Sequence, residues 1–149
     1  MSSQLYDEKI VQAVLRSSAD AIVGTNREGI LTFWNPGAER IFGFTASVAI
    51  GQSLDIIIPE ALRARHWAGW WHSIETGTSH YGSGSLLAVP ALTANGAKIS
   101  VEFTITMMLD DNGKIDGLVA IMRDVSENFA EMKKLRRELA LRDTDKLQC

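Results

Sequence analysis

All three histidines and three of the four tryptophans fall within residues 56–87, IIIPEALRARHWAGWWHSIETGTSHYGSGSLL. An imidazole can donate or accept a hydrogen bond and titrates near neutrality, so a histidine at a guarded position can hold a ligand or a proton. Pro59, followed by Glu60, marks the start of a helix expected to run to about Thr76, with the carboxylate complementing the positive end of its dipole. Leu62, His66, Gly69, Trp70 and Ile74 recur at helical spacing and form one stripe. Arg63, Arg65 and Glu75 fall toward solvent. His66 thus sits among apolar neighbours. Gly69 costs a helix interior roughly 1 kcal/mol relative to alanine, which suggests that something flat approaches the backbone there. On spacing alone, the plainer reading of His66 is a half-buried histidine satisfied by a hydrogen bond, and of Trp67, Trp70 and Trp71 that they are packing residues.

The flanking chain supplies what must position this stretch. Residues 4–16 carry Leu5, Ile10, Val11, Val14 and Leu15 as one face of an amphipathic helix that needs a surface to dock on. AIVGTN and ILTFW, joined by Arg27-Glu28-Gly29, read as a hairpin. Asn35 is a helix N-cap with Pro36 in the first turn, and Ala38, Ile41, Phe42 and Phe44 give that helix its apolar face. A further short helix over 45–51 stops at Gly51. After Gly77 the chain turns extended, with a strand over 86–89 behind Gly82 and Gly84, a connection over 90–96, and a turn at Asn95-Gly96. Residues 98–109 alternate, with Ile99, Val101, Phe103, Ile105 and Met107 facing inward. A turn over 110–113 leads to a last, mostly apolar and therefore central strand over 117–125. From Glu127 the chain is helical and charged, with a narrow stripe at Phe129, Met132, Leu135 and Leu139, and Asp124 and Glu127 are spaced as a capping box.

The 149 residues, 46% hydrophobic, fit one domain. A formal charge of −3 leaves no basic footprint for nucleic acid. The single cysteine is Cys149, so no disulfide framework or cysteine metal cluster exists. No apolar run approaches the ~20 residues of a membrane span. No nucleophile–base or carboxylate pair has recognisable spacing. The chain reads as a cytoplasmic protein that is not an enzyme.

The phrases DAIVGTNREGILTFWNPGAERIFGF and MRDVSE, with the order of elements, resemble the PAS sensory-domain family over residues 17–127. The resemblance implies an α+β fold: a five-stranded antiparallel sheet with short helices on one face, plus amphipathic helices at both ends. The divisions follow as 1–16, a leading amphipathic helix; 17–126, the sensory domain; and 127–149, a signalling or dimerisation helix. Fold alone leaves function open. Within the family, Pro59-Glu60-x-x-Arg63-x-Arg65-His66 resembles the haem-binding oxygen sensors of the rhizobial sensor-kinase type, which implies haem b with His66 as the iron ligand. His72 and His80 match positions that meet the haem propionates, and Gly69 and Trp70 lie against the group. Phe103 and Ile105 match the distal wall. Ser85 or Leu86 stands where those sensors carry an arginine for the gas ligand, so the identity of the diatomic gas is open. The implied partners are a second copy of the chain and a downstream signalling protein or output domain. The alternatives are a cofactor-free dimerisation module, its pocket filled by Trp67, Trp70 and Trp71, or a domain for another small ligand.

Overall fold

The computed structural model describes residues 2–77 and 87–148. Helix α1 (Ser2–Leu15) precedes strands β1 (Ala21–Asn26) and β2 (Leu31–Trp34), then come helices α2 (Pro36–Phe42) and α3 (Ala46–Ala49), a 3-10 turn (Leu54–Ile57) and the long helix α4 (Glu60–Thr76). Strands β3 (Leu87–Leu92), β4 (Lys98–Leu109) and β5 (Ile115–Asp124) follow, and α5 (Ser126–Gln148) closes the chain. The strands form one antiparallel sheet in the order β2-β1-β5-β4-β3, which places the apolar β5 at its centre, as its sequence predicts.

Register decides which side chains face the helices. Val23 lies opposite Trp34 and Ala120, while Ile105 lies opposite Ala120 and Phe103 opposite Met122. Alternation then puts Ala21, Val23, Leu118, Met122 and Val101 on one face, where Phe42, Ile41, Trp70 and Ile74 cover them. The β1–β2 turn is built by Asn26, whose Oδ1 accepts from the N–H groups of Glu28 and Ile30 at 3.0 and 2.9 Å, with Gly29 at φ +80°. Pro90 corrects the sequence expectation of a connection over 90–96. It is an internal residue of β3, opposite Ser100, and is tolerated because β3 is an edge strand whose missing N–H breaks no ladder bond.

Both terminal helices leave the sheet through tied joints. Before β1, the carbonyls of Ser18 and Ala19 accept from Arg40 at 2.7 and 2.8 Å, and those of Ser17 and Asp20 accept from Asn35 Nδ2 at 3.0 Å each. The Asp20 carboxylate meets Arg123 at 3.0 Å. After β5, Ser126 Oγ accepts from the Ser100 N–H at 2.8 Å, and Val125 N–H donates to the Ser100 carbonyl at 2.8 Å. Asp124 caps α5 differently from the expected box. Its Oδ1 accepts from Ser126 N–H at 3.0 Å, two residues on, because α5 already begins at Ser126.

Candidate functional site

Helix α4 begins at Glu60, with Pro59 as its N-cap residue, one position later than the sequence reading places it. It ends where Gly77 adopts φ +70°. Its inward side carries Trp70 and Ile74, both buried, with Leu62, Arg63, His66 and Trp67 half-buried beside them. Arg63 therefore does not point to solvent. Its guanidinium donates to the carbonyls of Ile58 at 3.0 Å and Asp55 at 3.3 Å and so binds the first turns of α4 to the 3-10 turn. Spacing cannot distinguish an exposed arginine from one that serves the free carbonyls of a preceding turn.

His66 is walled by two indoles. Trp67 stands edge-on to it, with centroids 4.7 Å apart and planes at 83°, and Trp70 lies tilted at 5.8 Å. Each indole is held by its own hydrogen bond: Trp67 Nε1 donates to Asp55 Oδ1 at 2.7 Å and Trp70 Nε1 to the Arg27 carbonyl at 2.9 Å. His66 Nδ1 is buried and has no hydrogen-bond partner among the described residues, so the expected satisfying bond is not made there. Burial lowers the His66 pKa from its ordinary 6.5, and the charge of Asp55 partly opposes the shift. A base whose folded pKa is depressed loses stability on acidification: its contribution is full above 6.5 and declines as pH falls from there toward the lower folded value. Denaturant midpoints measured across that window should fall with pH, and should fall less in a His66→Gln variant. Equal slopes would show that His66 is not the group responsible.

The remaining site residues divide three ways. Phe103 and Ile105 lie half-buried on β4 and pack against the same core as Trp70. Gly69 does not belong to the inward stripe. It is exposed, and a Cβ there would meet nothing within 4 Å among the described residues, so none of them accounts for the glycine. His72 is exposed, six positions along and about 240° around the helix from His66, and Trp71 is exposed rather than packed, which removes it from any pocket filling. His80, Ser85 and Leu86 lie outside the described residues. Asp55, and Gly29 beyond its place in the hairpin turn, carry no mark in the sequence of a part in this site. The signal was present only as an acidic residue and a glycine near the tryptophan-bearing helix in space. Two surface recesses, along α1 from Leu5 to Arg16 and between the end of α2 and the β3–β4 turn, include none of the predicted site residues.

Haem iron asks the chain for one neutral imidazole within apolar walls, and His66 fits that requirement through its desolvated ring and orphaned nitrogen. Among the described residues no group of three histidine, cysteine or carboxylate side chains is placed to hold a metal ion by itself.

Comparison with known proteins adds a family and several relatives. The family model for the PAS domain matches residues 19–127. An uncharacterised protein of Azorhizobium caulinodans is 31% identical over 134 residues, 89% of this chain and 18% of that protein. Sensor protein FixL of Bradyrhizobium diazoefficiens is 36% identical over 59 residues, covering 40% of this chain and 12% of FixL. Oxygen sensor protein DosP of Escherichia coli is 29% identical over 111 residues, covering 74% and 14%. The chain thus spans under a fifth of the length of these relatives. Among solved structures, a PAS domain of Colwellia psychrerythraea superposes with a TM-score of 0.69 at 21% identity over 80% of this chain and 97% of that one. An RNA-binding light-oxygen-voltage receptor does so with 0.72 at 17% identity, over 96% and 39%. At such identities these two likenesses speak to fold alone.

Proposed function

We propose, since this chain belongs to the PAS domain family of signal sensors, that it binds haem b through His66 and responds to a diatomic gas or to redox state. The observation that carries the reading is the His66 ring itself, half-buried on the inward side of α4 with one nitrogen buried and unpartnered. Desolvation favours the neutral imidazole, the form able to ligate iron. Phe103 and Ile105 supply apolar wall, and likeness to an oxygen sensor protein and to sensor protein FixL supports the same assignment. When bound, the haem supplies an iron centre for gas or redox chemistry. The chain holds and orients it, excludes water, and relays its state; no reacting side-chain pair is required of it.

The test is the visible spectrum of the intact chain titrated with haemin. One equivalent should generate a Soret band, and His66→Ala should lose it. An unchanged band in that variant would assign the iron to another ligand. A second reading has its own observation: Trp70 and Ile74 are 8% and 6% exposed and belong to the continuous core, so the interior can stand filled without a cofactor. A chain that carries no haem spectrum after haemin addition and removal of the unbound haemin rejects the first reading and supports this one, a cofactor-free interaction module.

Signal output is assigned to a homodimer acting on a downstream protein or output domain. Leu5, Ile10, Val11 and Val14 on α1 are all more than half exposed, as are Met132 and Leu139 on α5, with Leu135 at 48%. These residues of the two apolar stripes are not covered by the described residues of the chain, and a second copy would bury them. Light scattering should give twice the chain mass at micromolar concentration. A monomer mass rejects the dimer.

A further inference from the structure

A metal-binding histidine ordinarily donates its second ring N–H to a carboxylate or carbonyl, and that partner fixes the ring's orientation. Among the described residues neither ring nitrogen of His66 has such a partner, yet its ring is walled by two indoles. The nearer wall is Trp67, and Trp67 is itself held on three sides. Its N–H is bonded to Asp55, and its ring contacts Trp70 at 5.3 Å. Its far edge lies over Gly29, where a Cβ would come within 2.2 Å of Cη2. Asp55 in turn is fixed: its N–H donates to Ser53 Oγ at 3.1 Å and its carbonyl accepts from Arg63. The glycine is doubly required, because its φ of +80° already disfavours a side chain.

We propose that Trp67 is the positioning residue of the His66 site, and that Asp55 and Gly29 act on the imidazole through it. This rests on His66 being the ligand-bearing residue of the proposed function. The ring is aimed by aromatic edges anchored in the 3-10 turn and the β1–β2 turn instead of by a hydrogen bond of its own. A shift of either turn would therefore reorient the histidine without touching it.

The experiment uses the intact chain and reads two things: the ring-proton chemical shifts of His66 in unloaded protein, which sense the ring currents of the adjacent indoles, and the affinity for haemin. Asp55→Ala should move the His66 ring protons toward the positions of an unstacked imidazole and weaken haemin binding by about 10–100-fold, the usual loss when a supporting partner of a metal ligand is removed. Asp55→Asn, which keeps an acceptor oxygen for the indole, should restore both. Gly29→Ala, which displaces the indole from the other side, should again move the ring protons. Should Asp55→Ala fail to fold, Asp55→Ser, whose side chain is too short to reach the indole N–H, provides the same readout with both indoles in place. His66 signals that stay in place when Asp55 is changed to alanine or serine overturn the proposal. If wild-type chain takes up no haemin, the haem reading falls, while the ring-proton shifts still decide whether Trp67 positions His66.

Discussion

Replacing Asn35 by alanine is expected to cost about 3–5 kcal/mol of folding stability, more than any exposed substitution in the chain. Asn35 is 1% exposed and uses its whole amide. Oδ1 accepts from the N–H of Ile22 at 2.8 Å and of Ala38 at 2.9 Å, and Nδ2 donates to the carbonyls of Ser17 and Asp20. One side chain thus caps α2, fastens the start of β1 and closes the joint that carries α1. Alanine leaves buried N–H groups without partners, each costing about 1–3 kcal/mol. The informative companion is Asn35→Asp, which keeps the acceptor for Ile22 and Ala38 but sets a carboxylate oxygen against two carbonyls. That variant should be destabilised at neutral pH and recover on acidification, as a protonated carboxyl regains a donor. Urea unfolding at two pH values measures both. A midpoint for Asn35→Ala within experimental error of wild type would mean that water replaces the amide at no cost.

Gly117→Ala should be the second large loss, beyond the ~1–3 kcal/mol typical of overpacking. A Cβ at Gly117 would stand 2.1 Å from the Thr25 carbonyl oxygen and 2.8 Å from Met108 Cε. The first of these is backbone of the neighbouring central strand and cannot rotate away, so β1 and β5 must separate at one end. The control is Gly69→Ala, where a Cβ meets nothing within 4 Å in a helix interior and should stabilise by roughly 0.5–1 kcal/mol. Thermal unfolding of the two variants should move in opposite directions. A Gly117→Ala chain as stable as wild type would show that the central pairing yields more easily than its register implies.

Much of this was legible in the residues. The period-2 pattern of β4, the hairpin around Gly29, the Asn35 cap and the α4 stripe through His66 are each written locally, by alternation or by a turn residue with one conformational use. What sequence missed is long-range. Arg40 serves the carbonyls of Ser18 and Ala19 across 22 and 21 positions, and Trp67 reaches Asp55 across 12. A charged or aromatic residue on a helix carries no mark of which distant group it will meet. Pro90 misled because its meaning depends on whether its strand is an edge, which only sheet order determines. In the site, His66 was readable from its stripe. The residues that hold it were not, since Gly29 and Asp55 act through a tryptophan instead of touching the histidine.

The pairing of β1 with β5 also fixes how the domain answers to tension. These strands are antiparallel neighbours, with Ala21 opposite Met122, so the chain enters and leaves the sheet at the same end. A pull between α1 and α5 therefore does not load the six β1–β5 residue pairs together. It opens them one after another like a zipper, first at the Asp20–Arg123 ion pair and Ala21–Met122, last at Asn26–Gly117. A sheet opened pair by pair yields at lower force than one whose strands must slide past each other. Stretched in a single-molecule experiment, the domain should come apart from the end of the sheet where α1 and α5 leave it, and the joint at Asp20 and Arg123 would open before the core around Phe42 is breached.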